Sequence, residues 1–481
     1  MLEGIVQDQV TALLAEQEEW QRELAQNFDF CALEAKVGEA VNRLGAEVLK
    51  AALSAQLVAP EFIRALKDLG GRLGMRLKGY RLVKVHLGSG QSVEVVAPYF
   101  VKAAPKGRHR ARRQGAYLGL EVLGFLRRWS SRLVSEVAQA ALLCPSFEVA
   151  HAVFERRGLE VDVKTLRCLC RVLFEQGRWF RGKISLSGTE PLAGQTLVIG
   201  IDGGRLRERR RKRGRKKAGQ KRQGYHTDWK EPKLFTLYVL DNEGQVVKSF
   251  APLHDATMRN HEGLFALLER YLDVLDLERV ARIVFCGDGA PWIWSGVDAL
   301  CQRRGLDQER VYQVIDYTHA KQNLQELGRF APRASSTRGS SGQTVAGLAV
   351  ARRPRGATSV IMRDVSGQEK GPGAQQMRQL FCSQSEAPSS HARFRELAVP
   401  CGSGCVKSAI RRVIYLRLKA PGTFWPPDMA ECFLFLRSQL LSGRWDSFIY
   451  NVARLKARLL EPLPKEIGSA EFQAAEYLQA A

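Results

Sequence analysis

The sequence predicts an α/β protein: a mixed sheet with flanking helices, preceded by a mainly helical N-terminal region that carries one β-hairpin. Three observations lead there. Apolar residues recur at helical spacing up to about position 76. YRLVKVHLGSGQSVEVVAPYFVKA (80–103) alternates apolar and polar residues around a GSGQ turn. From Gln195 onward, apolar runs of strand length alternate with amphipathic helical stretches.

The 481 residues are 45% apolar, enough to bury a sizeable core in more than one domain. Lys and Arg number 73 against 50 Asp and Glu, a formal net charge of +23, which predicts a polyanionic partner. The opening MLEGIVQDQVTALLAEQEEWQREL is acidic, unlike a signal peptide, and no later run has 18 uninterrupted apolar residues, so a soluble cytoplasmic protein without a membrane span is expected. Ten cysteines lack any CxxC pair; reduced, mostly buried thiols are expected over a zinc site.

Residues 1–105 form the helical region, with VTALLAEQEEW, AVNRLGAEVLKAAL and PEFIRALKDLGGRLGMRL as its helices, followed by the hairpin. Residues 106–190 begin with the basic loop KGRHRARR and include SFEVAHAVFERRGLEVDVKTLRCLCRVLF, a helix, a short turn and a second helix from near Val163. That pattern is helix-turn-helix-like. Lys164, Arg167 and Arg171 would then face DNA, or they are the solvated arginines and lysine of an ordinary helical hairpin.

The chemistry begins at QTLVIGIDGGRLR, an apolar run that ends in Asp202 and two glycines. Next comes 205–223, RLRERRRKRGRKKAGQKRQ, with twelve Lys/Arg against the single Glu208. Its glycines interrupt any helix, and it is expected to be a flexible basic loop that touches phosphates through Arg205, Arg207, Arg209, Arg210, Arg211, Lys212, Arg213, Arg215, Lys216 and Lys217. A solvated charge run is the other reading.

LFTLYVLD and GQVVKSFAPLHDAT supply two further strands, and HEGLFALLERYLDVLDL a helix. ARIVFCGDGAPWIWSG then gives a strand that ends in Asp288 before a helix, and RVYQVIDYTHAKQNLQEL a strand that delivers Asp316 and His319 to another. Three strands, a helix, then two strand–helix pairs is the order expected of an RNase H-like sheet. There the first and fourth strands lie side by side, which brings together Asp202 and Asp288 although 288 − 202 = 86 residues separate them. A lone aspartate at a strand end is often only a turn or cap. Two of them on rigid strands could hold divalent cations for in-line displacement at phosphorus, Mg²⁺ needing only carboxylates, waters and the phosphate itself.

The phrases IDGGRLR, TDWKEPKLFTLYVLD, GDGAPWIW, IDYTHAKQNL, GSGCVKSAIRRVIYLRLKAPGTFW and LRSQLLSGRW, in this order over about 197–446, resemble the DDE-class transposases of bacterial insertion sequences. The resemblance implies an RNase H-like core in two parts, 191–330 and 391–481, that cleaves element ends and transfers strands with two Mg²⁺ or Mn²⁺ ions held by Asp202 and Asp288. Asp316 and His319 would shape the active site. The partners implied are double-stranded DNA, as transposon ends and target, and further copies of the chain assembled on it, at the nucleoid. The family's third acid is a glutamate in a GSG-x-x-Glu-Ser phrase; here that position is Lys407, and no Asp or Glu lies between Leu397 and Pro427. An ammonium cannot ligate a metal ion.

Residues 331–390 depart too: they lack helical periodicity and are rich in Ser, Gly, Arg and Gln, where the resemblance implies a helical insertion. Either a stretch is read out of frame between compensating insertions or deletions, or a disordered loop is natural here. Arg411, Arg412, Arg417 and Lys419 are expected to grip phosphates or to be helix-surface charge. Trp292 and Trp294 either stack on unpaired bases or pack in the core beside the Asp288 strand. The functions open at this point are a transposase, defective or active, a repurposed DNA-binding protein derived from one, and a host nuclease with the same core.

Overall fold

A computed structural model describes residues 2–102, 115–159, 161–183, 192–214, 219, 223–315, 398–400 and 402–460. The basic loop 106–113, the lysines and arginine at 215–217, Asp316, His319 and the 331–390 stretch lie outside these residues. The chain divides into two units, Met1–Arg178 joined by the residues from Asp446 on, and Trp179–Trp445. Sequence reasoning placed the boundary near 190 and kept everything after 391 with the sheet.

The first unit opens with α1 (Leu2–Asn27), α2 (Phe30–Val58) and α3 (Pro60–Arg72), followed by the hairpin β1 (Met75–His86) and β2 (Ser92–Lys102). Alternation does its expected work: Val93, Val95 and Ala97 of β2 turn inward with Val83 and Val85 of β1, against Ala46 and Leu57 of α2. The short β3 (Gly115–Ala116) adds a third strand and leads into α4 (Leu118–Val122).

Three helices follow, α5 (Ser131–Leu143), α6 (Phe147–Glu155) and α7 (Val163–Gly177), each begun by a side-chain cap from Ser130, Ser146 or Asp162. α7 buries Leu166, Leu169, Cys170 and Leu173 and leaves Lys164, Arg167 and Arg171 exposed at i, i+3 and i+7, one basic stripe.

The second unit is built on a five-stranded mixed sheet. Its strands are β4 (Thr196–Gly203), β7 (Lys233–Leu240), β8 (Leu253–Thr257), β9 (Arg282–Gly287) and β10 (Val311–Ile315). Between β4 and β7 a separate two-stranded ribbon, β5 (Leu206–Arg211) with β6 (Tyr225–Lys230), is inserted. The sheet order is β10-β9-β4-β7-β8, with β4, β9 and β10 parallel and β7 antiparallel to both its neighbours. The third expected strand, drawn from 244 to 257, is formed only over its last five residues.

β4 is apolar from Leu197 to Ile201 because both faces are covered. Leu197, Ile199 and Ile201 meet α8 (His261–Leu272) and α9 (Pro291–Arg304) in the larger core. Val198 faces the other way, with Tyr238, Val284 and Cys286. On that side lies α10 (Gly404–Ile410), followed by a π-helical turn Arg411–Tyr415 and a last helical turn Leu416–Leu418, then α11 (Pro427–Leu441); α12 (Trp445–Ala453) belongs, from Asp446 on, to the first unit. Gly200 lets α10 close onto the sheet: a Cβ there would stand 3.0 Å from Val406 and 3.0 Å from Thr236.

The eight described cysteines are all free thiols, Cys170, Cys286, Cys301 and Cys432 buried, Cys31 and Cys405 exposed. Among the described residues no helix is long and apolar enough to cross a membrane.

Candidate functional site

The parallel register pairs Ile201 with Gly287, so the next residue on each strand, Asp202 and Asp288, stand side by side at the carboxyl edge of the sheet. Neighbouring strands lie about 4.8 Å apart. Both aspartates are half-buried. Asp202 alternates with Val198 and Gly200, which puts it on the face that α10 covers. Its Oδ1 accepts from the Gly203 amide at 2.7 Å, while Asp288 Oδ1 accepts from the Ala290 amide at 2.9 Å. Each carboxylate is thus held by its own turn, as a local cap would be, and at the same time aimed at a shared edge.

Lys407 follows Val406, whose side chain lies against Gly200 two residues before Asp202. The lysine is half-buried on the helix beside the acid-bearing strand, the place the resemblance gives to the third carboxylate. Further along the same helical stretch, Tyr415 meets the acids: burial, then Asp202 and Glu231, push its phenol up, and Arg205 works against them. Arg437 closes the π-helical turn, its guanidinium donating to the carbonyls of Val413, at 2.8 Å, and of Arg412.

Glu231 was missed by sequence reasoning. It sits in the turn between β6 and β7, and its carboxylate lies so close to Gly203 that any Cβ there would run into it. Lys233, opposite Gly203 in the ladder, joins Glu231 at 3.3 Å and stands 3.9 Å from the Trp292 ring centroid. One end of the sheet therefore gathers Asp202, Glu231, Lys233, Trp292 and Arg205 beside Asp288. The glutamate gives no signal in KEPKL; only the pairing of β7 with β4 brings it there.

Both tryptophans serve packing. Trp294 is 7% exposed in the core and donates its indole N–H to the Asp288 carbonyl at 2.9 Å; Trp292 packs, half-buried, against the same cluster.

Two divalent ions bridging a phosphate need carboxylates on more than one side. Asp202 and Asp288 supply a pair, a lysine stands at the third position, and Glu231 is 52% exposed and joined to Lys233. Among the described residues no group of three or more His, Cys, Asp or Glu is placed to hold a metal ion. The described residues do not fit a two-ion centre.

In its first half the basic segment is not the loop expected. Residues 206–211 form β5, paired residue for residue with β6 from Leu206–Lys230 to Arg211–Tyr225. A segment around Trp425 fastens its other edge: the Trp425 amide donates to the Arg207 carbonyl and the Arg209 amide to the Trp425 carbonyl, each at 2.9 Å. Arg417, expected on phosphates, is instead 2% exposed beneath this anchor, its guanidinium 5.0 Å from the Trp425 ring centroid and 5.2 Å from that of Phe433. Apolar rings claimed its stem and cation before solvent could. Arg411, Arg412 and Lys419 are exposed, Arg412 reaching His254 Nε2 at 3.4 Å and Lys419 standing 4.1 Å from the Tyr415 ring. Arg205, Lys212 and Arg213 are exposed as well.

No family model and no curated protein matches the chain. Among solved structures it is similar to a chain of a Drosophila P element transposase strand transfer complex, at 11% identity and a TM-score of 0.21 over 69% of this chain and 83% of that one. A superposition of that quality fixes neither fold nor function.

Proposed function

We propose that the protein is a DNA-binding protein built on a transposase-type, RNase H-like core whose cleavage centre is incomplete. The observation that carries this is the adjacency of Asp202 and Asp288 on parallel strands, flanked by a helix that presents Lys407 in place of an acid. A lysine there adds positive charge where ligation calls for a carboxylate, but it suits a site that holds a phosphate directly. With Arg205 three residues after Asp202 and Lys233 opposite Gly203, the edge binds backbone without cutting it. The α7 stripe of Lys164, Arg167 and Arg171 supplies a second basic surface in the other unit.

A second reading rests on Glu231. Were its carboxylate to leave Lys233 and turn to Asp202, it would complete a set of three acids and the natural protein would cut.

One experiment separates them. The full-length protein and its Lys407→Glu and Glu231→Gln variants are incubated, with Mg²⁺ or Mn²⁺, with duplex DNA carrying the sequences that flank the gene, and binding and nicking are scored together. The proposal expects the natural protein to bind and not nick, and Lys407→Glu to nick. Nicking by the natural protein overturns it, and loss of that nicking in Glu231→Gln establishes the second reading. Absence of duplex binding overturns both.

A further inference from the structure

The ribbon β5–β6 sorts its charge by face. In an antiparallel pair, residues opposite each other share a side, so Arg207, Arg209 and Arg211 stand together with Trp229, Thr227 and Tyr225. The reverse side carries Glu208 and Arg210 opposite Asp228 and His226, and there Arg210 is neutralised, 2.6 Å from Glu208 and 3.3 Å from Asp228. The first side has arginines between aromatic rings and no acid among its paired residues. Arg207 lies 5.1 Å from the Trp229 centroid, and Arg209 5.7 Å from that of Tyr225. Even so, Trp229 is 54% and Tyr225 46% exposed. Large rings held open to water on a basic face are costly unless something covers them.

We infer that this face binds unpaired nucleotides of a DNA strand, its rings stacking on bases and its arginines on the phosphates between them. Every base has a π-face, and such stacking tolerates any sequence, whereas duplex bases present only their edges. Tyr225 and Trp229 are four residues apart on one strand, about 13 Å, so they engage different nucleotides. The main-chain anchor at Trp425 gives the ribbon a fixed base, so the rings are presented without first being ordered. The inference rests on the DNA-binding reading above, whose site it extends to a second form of the strand; the DNA ends it would engage are frayed or nicked ones.

The test compares three labelled probes by fluorescence anisotropy on the full-length protein: a single-stranded oligothymidine, an abasic strand of equal length and phosphate count, and a blunt duplex. Changing both Trp229 and Tyr225 to Ala is expected to weaken oligothymidine binding at least about tenfold, with less than a twofold change on the abasic strand and the duplex. Trp229→Phe with Tyr225→Phe retains binding and shows that the ribbon still folds. Arg209→Ala weakens all three probes, and Arg210→Ala, on the neutralised side, none. Equal loss on the abasic strand, or no loss on oligothymidine, overturns the inference. The nicking experiment is independent of these outcomes: duplex binding with no effect of the ring substitutions sinks the stacking face alone, and ring-dependent strand binding by a protein that ignores duplex sinks the function proposed above.

Discussion

Arg181 and Arg209 belong to the same unit and meet opposite fates. Arg181 is 11% exposed and donates to both oxygens of Asp255 at 2.9 Å, to Glu431 at 2.6 Å and to the Ala256 carbonyl at 2.7 Å. Asp255, at 0% exposure, also accepts from the Tyr271 hydroxyl at 2.8 Å, and Glu431 from Thr257 and the Met258 amide. Burial works against the Arg181 charge, and Asp255 and Glu431 more than offset it, holding the guanidinium above its ordinary value. Arg209 stands in water beside a ring. A net charge of +23 is therefore not a single resource. Part of it is sealed inside as fastening between the edge strand β8 and α11, and only the remainder is offered to a polyanion.

The comparison breaks first at the buried end. Arg181→Met leaves two carboxylates without their common partner, one of them fully buried, and is expected to cost about 3–5 kcal/mol. Urea unfolding followed by circular dichroism reads this directly. A loss below about 1 kcal/mol would put Arg181 among ordinary surface pairs and erase the distinction.

The next effect depends on pH. His254 on β8 is 3% exposed, and burial, then the Arg412 charge, push its imidazole down to about 4 from the ordinary 6.5. The unfolded chain binds a proton below 6.5 that the folded one refuses until about 4, so this group's contribution to stability is present above pH 6.5 and lost as pH falls through that window. Between pH 7 and pH 5 the loss is roughly 2 kcal/mol. His254→Asn removes that slope, measured as the difference in urea midpoints at the two pH values. An unchanged slope would mean that His254 binds protons alike in the folded and the unfolded chain, and that its burial beside Arg412 carries no pH dependence.

The sheet and its acids were legible because the signal is local. An apolar run ending in Asp-Gly marks a buried strand with an acid at its tip, and the order of three strands, a helix and a fourth strand gave the adjacency of Asp202 and Asp288. The ribbon was not legible. Where every residue from Arg207 to Arg213 is charged, period two leaves no trace, and the faces separate only once Tyr225–Lys230 is laid opposite. Arg417 was misplaced for a related reason: the rings that bury it, Trp425 and Phe433, come 8 and 16 residues later, and no spacing along one helix connects them. Glu231 needed the ladder itself.

The smallest expected effect sharpens the comparison from the exposed side. Arg167 of α7 meets Glu148 only at 4.0 Å, with side-chain exposures of 48% and 70%, and lies 4.9 Å from the Phe147 ring. Pairs so open to water contribute little, and Arg167→Ala is expected to change stability by less than about 0.5 kcal/mol. If Arg167 instead meets a phosphate, the same substitution lowers the slope of log affinity against log salt for duplex DNA by about 0.9, the share of one released counterion. Salt titrations of natural and variant protein on one duplex measure that slope. A stable variant with a reduced slope places α7 among the charges offered outward, alongside Arg209. An unstable variant with an unchanged slope would instead make Arg167 a brace between α6 and α7, and the helix pair an ordinary hairpin.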